Sequence, residues 1–491
     1  MKMKENRVHS VKYNFIMNIL LSASSFIFPL ISFPYVSRVL QAEGNGTISF
    51  YSSVANYFLL VASLGIPTYG IRACAKVRDD ANELSKTAQE IFVINEMMTA
   101  LVLAIYIVSF FCVEKFRQEP ELFSMNGIGI ALNLFGMTWF FQALEQYDYI
   151  TIRSVLLKVV SIVLMFLLVH APSDYKVQAG ITIFASCGFN VANYLRAKKY
   201  VSLNRGLSDL NLKRHMKPIL ILFAQSLAVS IYTNLDTVML GFMRDNVEVG
   251  YYNAATKLKY VLLSLVASLG QVLLPRMSYF LKKKQINLFY STMSKSLNFT
   301  FALSIPVAMY FVAFSKETML FLAGAGYIKA VAAMQIITIA IIPNGLTGIL
   351  GTQVLTSLEK EKYVLYSVLA GALIDFILNM FLIPQMGATG AALATMICEF
   401  SVLWVQIYFC RNLLKHERHK IHPLKYMILS GLSILIVSPI KFVRIKSYFL
   451  CLAVASIAFF SSYVLGLLIL KDEFALQLLR EGQMLLKRIK K

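Results

Sequence analysis

Apolar stretches of about 20 residues recur along the whole chain, and this recurrence restricts the fold more than any other feature. The stretch from Pro218 to Met243 is typical, because its 26 residues include a single charge, Asp236. A helix of that length rises about 39 Å, enough to cross a hydrocarbon core of roughly 30 Å. Only 15% of the residues are charged, against about 25% in soluble domains. The sequence therefore predicts an all-α, polytopic membrane protein.

Fourteen stretches are predicted to span the membrane, and they suggest two bundles of six helices followed by two further helices. No loop between them is long enough to fold as a separate domain, which disfavours a membrane enzyme with an extramembrane catalytic surface. The predicted domains are residues 1–200, 201–411, 412–470 and a tail, 471–491. The predicted spans are 14–36, 47–70, 90–113, 122–142, 149–170, 177–195, 218–243, 250–274, 297–315, 331–356, 363–383, 387–410, 424–443 and 447–470.

A weak internal repeat supports the division into halves. Residues 47–54, TISFYSSV, resemble residues 248–255, EVGYYNAA, at an offset of 201. Each segment follows a short polar loop and opens a predicted span. Internal repeats of this kind are typical of carriers whose cargo site lies between the halves.

Basic residues in the loops predict the orientation. With the N-terminus inside, the inner segments contain 34 Lys and Arg residues and the outer segments contain 10. This excess places both termini in the cytoplasm. The net charge of +21 does not indicate nucleic-acid binding, because the positive residues lie in short loops between apolar stretches. The tail, residues 471–491, has the pattern of an amphipathic helix on the inner leaflet, and a solvated tail is the alternative.

Seven ionisable residues fall inside the predicted spans, where a charge is costly and is a functional candidate by default. The alternative for each is a buried structural pair or a side chain that reaches the interface. Asp236 lies at a depth similar to Lys257 and Lys259, so an ion pair with one of them is expected. The two lysines differ by about 200° around a helix axis, which leaves the other to face a cavity. The seven residues are Glu96, Lys158, Asp236, Lys257, Lys259, Asp375 and Glu399.

Motifs for catalysis or metal binding are not apparent. The six cysteines form no CxxC pair and have the character of small apolar residues. His416, His419 and His422 have helical spacing that a metal could use, but no cysteine or clear carboxylate set accompanies them. We therefore expect no metal, no cofactor and no enzymatic activity.

Several local stretches, in their order and spacing, resemble the Wzx-type polysaccharide flippases. These belong to the superfamily that also includes the MATE multidrug exporters and the lipid II flippases. One of these stretches, GATGAALAT (387–395), also has a face of small residues that favours close helix packing. The stretches are FPYVSRVLQAEGNGTISFYSSVANYF (33–58), LGIPTYGIRACAKVRDD (64–80), WFFQALEQYDYITIRS (139–154), YTNLDTVMLGF (232–242), VGYYNAATKL (249–258) and GATGAALAT (387–395).

The resemblance implies a carrier whose bundles rock about a central cavity in the bacterial cytoplasmic membrane. Its cargo would be an undecaprenyl-diphosphate-linked oligosaccharide, moved from the inner to the outer leaflet for polysaccharide synthesis. Its partners would be membrane lipids, H⁺ or Na⁺ as coupling ion, a polysaccharide polymerase and glycosyltransferases. Cations in the cavity would attract the diphosphate. The residues at motif positions are Arg38, Arg72, Arg153, Asp236 and Lys257, and the depths of Lys158 and Lys259 add them as candidates.

Two alternatives remain open from the residues. An ion-coupled, MATE-like drug exporter would have the same fold with an acidic, aromatic cavity, for which Asp236, Asp375 and Glu399 are the candidate groups. A structural or lipid-processing membrane protein is the second alternative. Cation efflux from vesicles would identify the first, and covalent change of a lipid-linked sugar would identify the second.

Overall fold

The computed structural model describes residues 11–267, 270–417, 420–443, 447–472 and Leu476. All regular structure in these ranges is helical. The α-helices are α1 Val11–Ser63, α2 Ile66–Lys76, α3 Ala81–Cys112, α4 Glu114–Arg117, α5 Pro120–Leu132, α6 Thr138–Ala143, α7 Tyr147–Leu168, α8 Tyr175–Cys187, α9 Asn190–Ala197, α10 Lys213–Met243, α11 Asn246–Ala267, α12 Gly270–Lys282, α13 Ile286–Ala313, α14 Ser315–Leu322, α15 Ala330–Ile339, α16 Ile341–Thr347, α17 Glu361–Met386, α18 Ala388–Glu417, α19 Pro423–Val437 and α20 Tyr448–Ile469.

Membrane-spanning character is confirmed for much of the chain. In the described ranges, ten helical segments are long and apolar enough to cross a membrane. The first of these, Tyr13–Lys76, contains two of the predicted spans, which meet at a kink where Gln41 has φ 57°. The predicted spans 122–142 and 177–195 are each interrupted, the former between α5 and α6 and the latter between α8 and α9. A polytopic all-α membrane protein is therefore confirmed, whereas the arrangement of fourteen spans stays a prediction.

The chain divides into two compact units, residues 1–250 and 251–491. The first unit contains α1 to α10, and α11 begins in it and continues into the second. The domain boundaries predicted at residues 200 and 411 stay predictions.

In the first unit, α1 packs against α3, α7 and α10, so this long helix contacts most of the elements that carry candidate site residues. A buried aromatic cluster lies beside α2, α3 and α6 and includes Phe92, Trp139, Phe140 and Phe141. Each of these side chains is at most 4% exposed. Burying such rings stabilises the contact by about 1.5–3 kcal/mol each.

Glycines allow two segments of the first unit to approach closely. A Cβ atom on Gly46 would lie 1.6 Å from the carbonyl oxygen of Asn246, and one on Gly250 would lie 2.0 Å from the carbonyl oxygen of Ala42. The Asn246 side chain also donates to the Thr47 hydroxyl at 3.0 Å. The backbones of residues 42–47 and 246–250 are thus in direct contact, which only residues without a side chain permit at these two positions.

In the second unit, α17 and α18 form a tightly packed pair. Gly387 joins them with φ 55°, a conformation that favours glycine. A Cβ atom on Gly390 would lie 2.3 Å from the carbonyl oxygen of Leu382. The small-residue packing predicted for GATGAALAT is therefore confirmed. The helix α13 packs against α15 and α19, and a π-helical stretch, Gly348–Leu355, contacts α17 and α18.

The C-terminal tail is described only at its start. Residues 473–475 and 477–491, which contain the predicted amphipathic pattern, lie outside the described residues. Asp472, which the sequence assigned to the tail, is buried instead. Its carboxylate is ion-paired with Lys425 and accepts a hydrogen bond from the Tyr426 hydroxyl at 3.2 Å. This contact links the segment after α20 to the first turn of α19.

Candidate functional site

Lys158 provides an intramembrane positive charge in the first unit. It lies on α7, which packs against α1, and its Nζ donates to the Ser24 hydroxyl at 2.8 Å and to the Ser25 hydroxyl at 3.0 Å. The amine also lies 5.8 Å from the ring centre of Phe28. Within the described residues, Lys158 has no carboxylate partner. Hydroxyl groups orient the ammonium group but leave its charge uncompensated.

Arg153 and Arg196 form a second cationic position, on α7 and α9. The Arg153 guanidinium donates to the amide oxygen of Asn193, which also accepts from the Tyr149 hydroxyl at 3.0 Å. The Tyr149 ring centre lies 5.6 Å from Cζ of Arg153 and 3.8 Å from Cζ of Arg196. The two guanidinium carbons are therefore less than about 10 Å apart.

The positive charges of Arg153 and Arg196 are not balanced by a nearby carboxylate among the described residues. The Nε atom of Arg196 is buried and has no hydrogen-bond partner there. Two neighbouring guanidinium groups repel each other, and the repulsion grows in a low-dielectric surrounding. An anion bound to either guanidinium group would compensate its charge and would supply acceptors that guanidinium groups bind well.

Some other cations of the first unit have acidic partners. Arg78 lies 2.6 Å from Glu145 and Lys176 lies 2.9 Å from Glu121. The hydrogen bond from Arg78 to Glu145 raises the pKa of the Arg78 guanidinium. Lys158 and Arg153 have no such partner among the described residues, and they differ from exposed cations such as Arg72 because they lie on α7, a segment apolar enough to cross a membrane. Arg196 lies near Arg153 and has no carboxylate partner there either. The sequence indicated Lys158 and Arg153 but not Arg196, which precedes a basic loop.

A buried polar network centres on Glu90, which the sequence analysis did not identify. Its carboxylate accepts from the Asn211 backbone at 2.8 Å, from Arg214 at 2.5 and 2.8 Å, and from His215 at 2.7 Å. The other ring nitrogen of His215 contacts the Tyr69 hydroxyl at 2.7 Å. The network links α2, α3 and the start of α10. No local spacing in the sequence connects Glu90 with partners 121 to 125 positions later, so only the tertiary fold identifies it.

The remaining predicted residues of the first unit lie on three helices. Arg38 on α1 and Arg72 on α2 are exposed, whereas Asp236 on α10 is buried. Both α1 and α2 pack against α10. The roles of these three residues in cargo or ion binding stay predictions.

In the second unit, Lys259 is ion-paired with Glu399. The Lys259 Nζ lies 3.0 Å from Oε1 of Glu399, which also accepts from the Asn344 amide at 2.6 Å. The sequence had offered Lys259 as a cargo-binding cation and Glu399 as a coupling-ion ligand, and the structure gives each side chain the other as a partner. Lys257 lies on the same helix and is exposed.

Asp375 on α17 accepts a hydrogen bond from Asn379 one turn later, at 3.1 Å. Both side chains are at most 2% exposed. A buried carboxylate and amide of this kind could bind a proton or a cation, so Asp375 stays a coupling-ion candidate. Among the described residues, no group of three or more His, Cys, Asp or Glu side chains could hold a metal ion. Residues 418–419, within the histidine-containing loop, lie outside this description.

Comparison with known families gives two matches. A family model described as "Polysaccharide biosynthesis protein" matches residues 11–281. A second, described as MatE, matches residues 222–381. The first match covers more than half of the chain.

Two named relatives have similar sequences. A protein called "Putative O-antigen transporter" from Escherichia coli (strain K12) is 23% identical over 410 residues, which is 82% of this chain and 97% of the relative. A protein of the same name from Shigella dysenteriae is 25% identical over 55% of this chain and 67% of the relative.

Solved structures share the fold. The lipid II flippase MurJ in an inward closed conformation aligns with a TM-score of 0.75 at 14% identity, over 93% of this chain and 99% of that one. An inward-facing multidrug resistance MATE transporter of the MOP superfamily aligns with a TM-score of 0.58 at 12% identity, over 82% and 99% of the two chains. At these identities the likeness concerns the fold alone.

Proposed function

The chain belongs to the polysaccharide biosynthesis protein family, and from this premise we propose that it is a Wzx-type flippase for a lipid-linked oligosaccharide. Its cargo is an undecaprenyl-diphosphate-linked repeat unit, carried from the inner to the outer leaflet of a bacterial cytoplasmic membrane. Transport proceeds by alternating access, with the protein open to one side at a time, and both termini lie in the cytoplasm. The names of the Escherichia coli and Shigella dysenteriae relatives support this cargo class.

One observation supports the cargo more directly than the others. Lys158 and Arg153 lie on α7, a segment apolar enough to cross a membrane, and neither has a carboxylate partner among the described residues. Arg196 lies near Arg153 and has no carboxylate partner there either. A diphosphate brought toward a low-dielectric region without compensating charge would lose several kcal/mol. Cations that the protein itself leaves uncompensated can supply this charge without first breaking an internal ion pair.

The alternative, a MATE-like drug exporter, would need acidic groups available to a cationic drug. Glu399 is less suited to that role because Lys259 already compensates its charge. Asp236 and Asp375 are buried carboxylates and are proposed as sites for the coupling ion, H⁺ or Na⁺. A polysaccharide polymerase and glycosyltransferases are the partners expected to act after and before this step.

The test is complementation of a bacterium whose own flippase for the same repeat unit has been deleted. Surface polysaccharide is measured per amount of membrane-inserted protein for the native chain, Lys158→Gln, Arg153→Gln and the double variant. Loss of a charged hydrogen bond costs about 1.5–3 kcal/mol, so each single change is expected to lower export about tenfold or more. Lys158→Arg retains the charge and is expected to preserve most of the export.

Lys176→Gln is the matched control, because it removes a lysine whose partner is Glu121 in the first turn of α5. It is expected to leave export unchanged. Full export by the Lys158→Gln, Arg153→Gln double variant would rule out the role of these cations. Efflux of cationic dyes from vesicles, together with failure to restore surface polysaccharide, would instead favour the drug exporter.

A further inference from the structure

An open groove of about 510 Å³ lies in the first unit beside α10. It is lined by one residue of α2 and by seven residues from one face of α10, which recur at intervals of three and four as helix geometry requires. The lining residues are Thr68, Leu222, Gln225, Ser226, Val229, Ser230, Thr233 and Asn234.

The lining of this groove is mostly polar and carries no charge. Six of the eight lining residues have a hydroxyl or amide group, and no lining residue is charged or aromatic. The helix α10 is at the same time one of the ten segments that are apolar enough to cross a membrane. Polar groups that face hydrocarbon are costly, so the stripe of five polar residues on α10 is expected to face protein, water or a ligand.

Part of the hydrogen-bonding capacity of the groove is unused. The Ser226 and Thr233 hydroxyls donate to carbonyl oxygens of their own helix at 3.0 Å. The Gln225 amide and the hydroxyls of Thr68 and Ser230, in contrast, make no hydrogen bond within the described residues. A ligand in the groove would therefore meet both donors and acceptors without displacing an internal bond.

We propose that this groove binds the sugar portion of the lipid-linked oligosaccharide, an inference that rests on the proposed function. Sugar rings present many hydroxyl groups and no net charge, which matches hydroxyl and amide partners. A phosphate would require cations, a cationic drug would require carboxylates, and an acyl chain would require an apolar lining. On this proposal, Lys158 and Arg153 bind the diphosphate of the cargo, and the groove binds its sugars.

The test is a pair of binding measurements on purified protein in detergent. One probe is the lipid-linked oligosaccharide extracted from the source bacterium, and the other is undecaprenyl diphosphate without sugar. The variant is Gln225→Leu, Thr68→Val, which removes two exposed polar side chains on two different helices. It is expected to bind the sugar-bearing lipid at least tenfold more weakly than the native protein and to bind undecaprenyl diphosphate unchanged.

Gln335→Leu, Thr182→Val makes the same chemical changes at exposed positions outside the groove and is expected to bind both probes normally. Equal loss of both probes by the groove variant, or no loss of either, would overturn the sugar assignment while leaving the flippase intact. Failure of the native protein to bind either lipid would overturn the proposed function and this inference together. The melting temperature of each variant shows whether it is folded, and Gln225→Leu alone replaces the double variant if that one unfolds.

Discussion

The ammonium group of Lys259 lies 3.0 Å from the carboxylate of Glu399, and both side chains are almost completely buried in the second unit. The pair joins α11 to α18, and Asn344 on α16 donates to the same carboxylate oxygen, Oε1. The other oxygen, Oε2, is buried and has no hydrogen-bond partner among the described residues. A pair of this kind keeps two costly charges inside a helical bundle only as long as both are present.

The first prediction is therefore a double-mutant cycle at this pair. Lys259→Gln and Glu399→Gln each leave one buried charge without its partner, which is expected to cost about 3–5 kcal/mol. The double variant removes both charges and is expected to recover most of the loss. The measurement is the thermal unfolding midpoint in detergent. Additive losses in the double variant would show that the two side chains do not stabilise the fold as a pair.

The sequence predicted the fold class and family correctly because their signals are local. Apolar stretches of about 20 residues are visible without tertiary information, and the match to the polysaccharide biosynthesis family over residues 11–281 confirms the resemblance seen in the short motifs. The small-residue face around Gly390 was likewise predictable, because close helix packing needs residues of that size.

The pairing of charges could not be predicted in the same way. Depth along a helix is readable from the sequence, and it suggested Asp236 as a partner for Lys257 or Lys259. Which helices are neighbours depends on tertiary packing. The structure pairs Lys259 with Glu399, 140 residues away, and an ion pair between Asp236 and Lys257 stays a prediction. The same limit explains why Glu90 was overlooked while Glu96, two turns later on α3, was singled out.

The second prediction concerns the close contact at Gly46. An added methyl group there would meet the Asn246 carbonyl at 1.6 Å, a backbone atom that cannot rotate away. Gly46→Ala is expected to destabilise the protein by about 3 kcal/mol or more, at the upper end of overpacking costs. The readout is the amount of membrane-inserted protein that remains monodisperse in detergent.

Gly180→Ala is the matched control, since apart from its chain neighbours and the backbone of its own helix no atom lies within 4 Å of the position that its Cβ would take. Alanine is favoured over glycine in a helix by about 1 kcal/mol, so this variant is expected to be as stable as the native protein or slightly more stable. Equal behaviour of the two alanine variants would contradict the packing described for residues 42–47 and 246–250.

The third prediction compares two glutamates on α3. Glu90 is fully buried, ion-paired with Arg214 and hydrogen-bonded to His215, whereas Glu96 is only partly buried and makes no hydrogen bond within the described residues. Because the Arg214 side chain is 38% exposed, solvent screens part of its interaction, and Glu90→Gln is expected to cost about 2 kcal/mol. Glu96→Gln is expected to cost less than about 0.5 kcal/mol. Thermal unfolding in detergent compares them, and a larger loss at Glu96 would refute the assigned role of the Glu90 network.

The last prediction tests the orientation in the membrane. The excess of basic residues in alternate loops places the segment around Ser208 inside and the segment around Ser173 outside. Both serines are exposed in short helical turns, so a cysteine at either position is expected to be accessible to reagents without disturbing a helix. Each cysteine is introduced into a chain whose six native cysteines have been replaced, and intact cells are treated with a membrane-impermeant thiol reagent. Ser173→Cys is expected to react in intact cells, whereas Ser208→Cys is expected to react only after the membrane is permeabilised. Reaction of Ser208→Cys but not Ser173→Cys in intact cells would contradict the predicted orientation, because it would place both termini outside.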